Sequence, residues 1–273
     1  MIYTLMNMFS YAFMVRAIIV GILVSLCSAL LGVSLVLKRY SMIGDGLSHV
    51  GFGSLAIATA LGLSPLKITV PVVIISAILL LRVSEKTKLK GDSAIGIISV
   101  TAMATGVLAV SLSTGLNTDL YSYLFGSIRA MTAEDVTLSI ILSVSVIALY
   151  VIFYNRIFAV TFDESFARAG GTSAVKYNML IAVLTAITIV LGMRMMGSLI
   201  ISALIIFPAV TSMRLCKSYR GVTICSALLS ILCFCIGITL SFLYDLPTGA
   251  SIVAVNAIIF ILAVTAEKII KRK

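Results

Sequence analysis

Charge is scarce in this sequence. Only 11% of its 273 residues are Asp, Glu, Lys or Arg, against 61% hydrophobic, and the mean hydropathy is +1.20. A soluble domain carries about a quarter charged residues, so this chain cannot cover itself with a water-facing surface. Most soluble enzyme folds, a secreted disulfide scaffold and a disordered tail are excluded. The apolar runs also lack the polar–apolar alternation of barrel strands. No basic stretch precedes a short apolar core at the N-terminus, so no cleavable signal peptide is expected. No G-x-x-x-x-G-K-[ST] loop occurs, so the chain has no such cradle for ATP and no intrinsic cofactor is expected. The five cysteines, Cys27, Cys216, Cys225, Cys233 and Cys235, lie in or beside apolar segments without zinc-finger spacing and read as small hydrophobes.

What is present is a series of apolar runs of roughly 20 residues, each long enough for about 30 Å of hydrocarbon. They predict an all-α, polytopic transmembrane helical bundle with spans near 11–37, 41–62, 65–82, 93–113, 134–154, 174–194, 197–214, 221–244 and 248–268. Nine spans are expected, with eight or ten as alternatives because the second is short and rich in glycine. No composition break divides residues 1–273, which read as a single transmembrane domain. The net charge of +10 comes from cations in short loops. Lys38-Arg39, Arg82 to Lys90, Arg156 to Lys176, Arg214 to Arg220 and Lys268 to Lys273 all fall on one side if the spans alternate. The positive-inside rule makes that side cytoplasmic, together with the C-terminus. These cations are topology signals and partners for the lipid bilayer; nucleic acid is not an expected partner.

The only histidine lies in RYSMIGDGLSHVGFGSLAIATALG. Asp45 and His49 are four apart and share a helix face, which Gly53, Ala56 and Ala60 continue within roughly 80°. With a helix start near Ser41, His49 lies about 12 Å into the helix. Ionisable groups at such depth are costly unless paired or hydrated. A carboxylate oxygen with a neutral imidazole nitrogen suits a first-row divalent cation. Two ligands make a loose site, as a transfer path requires. The same spacing is compatible with Asp45 capping a helix start, His49 packing as a hydrogen-bonded core residue, and the small stripe serving close helix packing.

A second feature is FDESFARAGGTSAVKY, residues 162–177. Asp163-Glu164 at its start and Arg168 near its end suit the poles of a short helix, which Gly170-Gly171 breaks. Such a cytoplasmic helix suits the groove of a partner, although an ordinary solvated loop has the same composition. Met193, Met195 and Met196 read as apolar filler rather than soft ligands. Asn117 and Asp119 read equally as exposed loop or as contacts for an arriving ion.

Four patches in order carry a family resemblance: SMIGDGLSHVGFG; YLFGSI at 123–128; DESFARAGG; and MGSLIISALIIFPAVTS at 196–212 followed by SFLYDLPTGASIV at 241–253. Together they resemble the integral membrane permeases of bacterial ATP-binding-cassette importers for zinc, manganese and iron, the ABC-3 type. The resemblance implies a homodimeric permease of the bacterial cytoplasmic membrane. It would pass a divalent metal ion, zinc, manganese or iron, to the cytoplasm. It further implies two copies of a cytoplasmic ATP-binding subunit, which bind and hydrolyse the ATP, and an extracytoplasmic metal-binding protein; the permease itself is not an enzyme. Asp45 and His49 match the family's metal-path residues. Asp163, Glu164, Phe166, Ala167 and Gly170 match its ATPase-contact segment. Asp245, Pro247 and Gly249 match a further motif, and Pro247 and Gly249 suit an outer turn. The resemblance does not choose the metal. A gradient-driven carrier, a permease for a metal chelate and an intramembrane enzyme are rival readings. Against the first stands the absence of a second Gly-Asp-x-Leu-Ser-His patch of the kind an inverted repeat would supply. Against the last, His49 and Ser48 point to different helix faces.

Overall fold

The computed structural model describes residues 8, 10–86, 91–112, 132–198 and 201–270. Among the described residues there are eleven helices and no strand: α1 Ala12–Leu37, α2 Ser41–Ala60, α3 Pro65–Lys86, α4 Gly91–Leu112, α5 Ala133–Ile152, α6 Tyr154–Phe162, α7 Glu164–Ala169, α8 Ala174–Met196, α9 Ile201–Leu215, α10 Tyr219–Tyr244 and α11 Thr248–Ile270. Every expected apolar segment is a helix. Seven of them, α1, α3, α4, α5, α8, α10 and α11, contain stretches long and apolar enough to cross a membrane. The other two fall short for different reasons. The 20-residue α2 carries Asp45, His49 and the glycines 44, 46, 51 and 53, which depress its hydropathy. The described part of α9 is only 15 residues long. The short α6 has no counterpart in the sequence expectation. It begins where α5 ends at a turn on Phe153, and its Ile157 and Val160 are buried.

Helix α1 is the hub, packed by α5, α8, α9 and α10. Its small residues let those neighbours approach. A Cβ at Gly32 would run into the Ile205 carbonyl of α9, and one at Gly21 into the Phe234 ring of α10. Between apolar helices in a bilayer no hydrophobic gain separates protein from lipid contact, so close packing and interhelical hydrogen bonds supply the association. Ser230 Oγ donates to the Ser25 carbonyl at 2.9 Å and Ser226 Oγ to that of Ala29 at 3.3 Å, tying α10 to α1. Ser34, Tyr219 and Tyr150 form a hydroxyl chain, 3.0 and 3.1 Å per link, that joins α1, α10 and α5.

Helix α2 barely touches α1 and is held instead by α3, α4, α8 and α9. Its contact with α4 is close enough to exclude side chains: a Cβ at Gly106 would come within 2.6 Å of the Gly53 Cα, and one at Gly53 would meet the Ala102 carbonyl. On the periphery the apolar side chains point outward. Ile224, Leu228, Leu232 and Ile236 recur every fourth residue along α10, all exposed, a stripe suited to lipid hydrocarbon or to another apolar surface rather than to water.

Candidate functional site

The sequence SMIGDGLSHV begins α2 at Ser41, with Tyr40 at the cap position. Asp45 therefore lies inside the helix and caps nothing. As the spacing requires, its Oδ2 faces the Nε2 of His49, at 3.6 Å. That separation is too long for a good hydrogen bond. Asp45 receives one further contact, at 3.5 Å, from Ser202 Oγ at the start of α9. The Asp45 side chain is 41% exposed and that of His49 15%. The His49 Nδ1 is buried without a hydrogen-bond partner, so this is not a satisfied core histidine. A buried imidazole nitrogen left unpaired is costly unless a guest supplies the missing partner. Among the described residues no third His, Cys, Asp or Glu joins the pair. The donor set is one carboxylate and one imidazole, suited to a divalent transition metal, with its remaining coordination open.

The continuation of that face differs from its beginning. Gly53 and Ala56 are fully covered by α4 at Ala102 and Gly106, so the small stripe serves helix packing. Met193 is 1% exposed and sits among Phe52, Leu55 and Met103. It fills the space beside Gly51, where a Cβ would lie 2.9 Å from its methyl carbon, and is a packing residue. Arg194 and Asp135 pair at 3.0 Å, both nearly buried, where α8 ends and α5 begins. The YLFGSI patch, Asn117 and Asp119 lie outside the described residues, as does the side chain of Met195.

The segment at 163–170 forms α7 and gives each expected residue a distinct position. Asp163 caps the helix: its Oδ1 accepts from the backbone N–H groups of Ser165 and Phe166 at 2.8 and 3.0 Å. Ala167 is buried against Val160 and Ala174, which seats α7 on α6 and α8. Phe166 points away and is 75% exposed, with Phe162 beside it on the chain 77% exposed. Gly170 ends the helix with an ordinary φ of −79°, whereas Gly171 adopts +76°. The left-handed conformation falls on the second glycine, not on the one that matches the resemblance.

Glu164 is the joint of this segment. Its Oε1 accepts from Lys38 Nζ at 2.6 Å and from Asn178 Nδ2 at 2.8 Å, and Arg168 lies 3.5 Å from Oε2. Partial burial is the largest single influence and pushes the Glu164 carboxyl up. The hydrogen bonds from Lys38 and Asn178 and the charges of Lys38 and Arg168 together outweigh it and hold the pKa below the usual glutamate value. The Lys38 side chain is only 7% exposed, so the ion pair gives a buried cation its counter-charge. Lys38 is the residue after α1, and the turn into α2 is tight. Tyr40 N–H donates to the Leu35 carbonyl at 2.8 Å, and Arg39 takes a φ of +60°. The joint thus ties α7 and α8 to the root of the helix that carries Asp45 and His49. Sequence reading takes Lys38 only as a topology signal and assigns no role to Asn178 or Ser202, because the contacts of each are defined by a partner far away in the chain.

The comparisons with known proteins agree with this arrangement. The model of the ABC 3 transport family matches residues 10–267. The chain is 31% identical over 247 residues to the high-affinity zinc uptake system membrane protein ZnuB of Haemophilus influenzae, covering 90% of this chain and 95% of that protein. It is 28% identical over 257 residues to the manganese transport system membrane protein MntC of Listeria monocytogenes, covering 94% and 91%. Among solved structures, PsaBC from Streptococcus pneumoniae in complex with Fab superposes with a TM-score of 0.87 at 26% identity, covering 96% of this chain and 95% of the matched one. An inward-facing putative metal-chelate type ABC transporter shares the fold, with a TM-score of 0.73 at 17% identity. With its family's model matched along nearly all its length, this multi-pass membrane protein belongs to the ABC 3 transport family.

Proposed function

We propose that the chain is the membrane-spanning permease subunit of an ATP-driven importer for a divalent transition-metal ion, zinc or manganese, in the bacterial cell membrane. The observation that carries the reading is the Asp45–His49 pair, set within a chain whose relatives are named as zinc and manganese membrane proteins. In this reading α2 and α9 join the seven apolar helices as crossings, nine in all. The basic ends of the helices face the cytoplasm. Two copies of the single-domain chain enclose the path, an extracytoplasmic protein delivers the ion, and two cytoplasmic subunits bind and hydrolyse ATP.

Asp45 supplies charge and oxygen, and the neutral imidazole of His49 supplies nitrogen. Two donors per copy hold the ion long enough to change sides and too weakly to retain it. The exposed Phe162 and Phe166 offer an apolar contact to the ATPase. Movement of α7 reaches the start of α2 through Glu164 and Lys38. The test is uptake of radioactive zinc and manganese by vesicles holding the assembled complex, wild type against His49→Ala at equal membrane levels. ATP-dependent uptake that His49→Ala reduces supports the reading and identifies the preferred ion. Uptake that persists unchanged in His49→Ala and Asp45→Ala overturns the site, and uptake that follows an ion gradient without ATP overturns the importer.

A further inference from the structure

Helices α5 and α10 both pack on α1 and meet one another through the Tyr150–Tyr219 hydroxyl contact, and neither is a neighbour of α2. The surface hollow between them therefore takes no wall from the Asp45–His49 helix. At the end where α5 turns into α6 and α10 begins, Val151, Tyr154, Asn155, Arg220, Thr223 and Ile224 line a hollow of about 380 Å³. Its walls are apolar and open: Val151 is 63% and Ile224 60% exposed, and the outward stripe of α10 continues from Ile224 through Leu228 and Leu232. Its mouth is cationic. Arg220 is exposed and, among the described residues, makes no hydrogen bond or ion pair. Three other arginines of this end are engaged: Arg156 donates to Thr172, Arg168 lies beside Glu164, and Arg214 pairs with Glu267.

We propose that this cleft binds one anionic phospholipid of the cytoplasmic leaflet. The Arg220 guanidinium and the Asn155 amide donate to phosphate oxygens, the arginine bonds being charge-assisted. An acyl chain lies along Ile224, Leu228 and Leu232. Three features favour this occupant over a second copy of the chain. The cleft takes no wall from the Asp45–His49 helix, it joins a cation to an apolar groove at a membrane boundary, and it stands at the basic end of the bundle. The inference does not depend on which ion is carried.

The test is native mass spectrometry of the purified full-length protein released from micelles containing phosphatidylglycerol or phosphatidylcholine. Wild type should retain phosphatidylglycerol in preference to phosphatidylcholine. Arg220→Ala should lower that retention about fivefold, the loss expected for one cation near an anionic lipid surface. Ile224→Trp, which fills the groove from a lipid-exposed position, should displace both lipids. Equal retention of the two lipids, or unchanged retention in Arg220→Ala, overturns the proposal. Thermal stabilisation by inorganic phosphate that Arg220→Ala abolishes, without lipid retention, assigns the site to free phosphate instead. A disulfide between two Ile224→Cys copies, formed in vesicles, assigns the face to protein contact and overturns it as well.

Discussion

Two polar sites sit at successive positions along the same stretch of chain and are built in opposite ways. In α2, Asp45 and His49 share a face but stand 3.6 Å apart, with the imidazole Nδ1 unpaired and only a long contact from Ser202. A few residues earlier, Lys38 meets Glu164 at 2.6 Å, Asn178 adds a second bond at 2.8 Å, and Arg168 stands by. Both sites place ionisable groups where water is limited. The first leaves coordination open, and the second closes it. An ion path must release what it binds, so under-satisfied donors suit it. A joint that carries movement must not give, and a hydrogen-bonded, low-dielectric ion pair resists being pulled apart.

The comparison breaks most sharply in transport. Removing one of two ligands should lower metal uptake about tenfold or more, since even groups that only support a ligand change affinity by 10–100-fold. His49→Ala or Asp45→Ala should nevertheless unfold near the wild-type temperature, because no short hydrogen bond is lost. Radiometal uptake and thermal unfolding of the same preparations check both halves. A large stability loss in His49→Ala would make the pair structural.

The joint should show the reverse pattern. Glu164→Gln leaves Lys38 buried without its counter-charge. Breaking a buried pair costs about 3–5 kcal/mol, and partial solvent access to Glu164 reduces this to about 1–3 kcal/mol. Lys38→Met combined with Glu164→Gln should recover much of the loss, because an apolar replacement removes the unpaired charge. A double-mutant cycle in detergent measures the coupling; additive effects would mean that the ion pair carries no strength. In the assembled complex, Glu164→Gln should lower uptake while leaving basal ATP hydrolysis in place, the sign of a joint that has slipped.

Acid should weaken the joint too. The folded-state pKa of Glu164 lies below its unfolded value. Its contribution is therefore present above the unfolded value, about 4.3, and is lost as the pH falls through the lower folded value. The stability gap between wild type and Glu164→Gln should be constant near neutrality and close below about pH 4. A gap that widened with acid would contradict the assignment of the Lys38 pairing.

The two sites were not equally legible in the sequence. A helical spacing of four is local, so the shared face of Asp45 and His49 follows from the chain alone, as does a short helix starting near Asp163-Glu164. The Lys38–Glu164 pair spans 126 residues, and no local pattern encodes which of several cations an acid will meet. The membrane crossings show the same division. Uniformly apolar segments are evident, whereas α2 carries Asp45, His49 and four glycines, which remove it from the seven helices recognisable by composition. The small stripe beyond His49 was ambiguous because glycine serves a path and a close helix contact alike; only the position of α4 against Gly53 decides for packing. Helix α6 escaped notice because YNRIFAVTF continues the apolar run of α5, and the bend at Phe153 has no glycine or proline to mark it.

The smallest expected effect separates shape from contact at the end of α7. Gly171 holds a φ of +76°, and an added Cβ there would have open space around it. Gly171→Ala therefore loses stability only through backbone strain, about 1–2 kcal/mol. Gly170 has an ordinary backbone, and its added Cβ would lie 3.6 Å from the nearest atoms, the carbonyl oxygens of Ala167 and Phe166. Gly170→Ala should leave the unfolding temperature nearly unchanged. Both residues are exposed, so any defect of Gly170→Ala in ATP-coupled uptake must come from a surface that another subunit approaches. Full uptake by Gly170→Ala would instead leave the docking to Phe166 and make Gly170 a mere end to the helix.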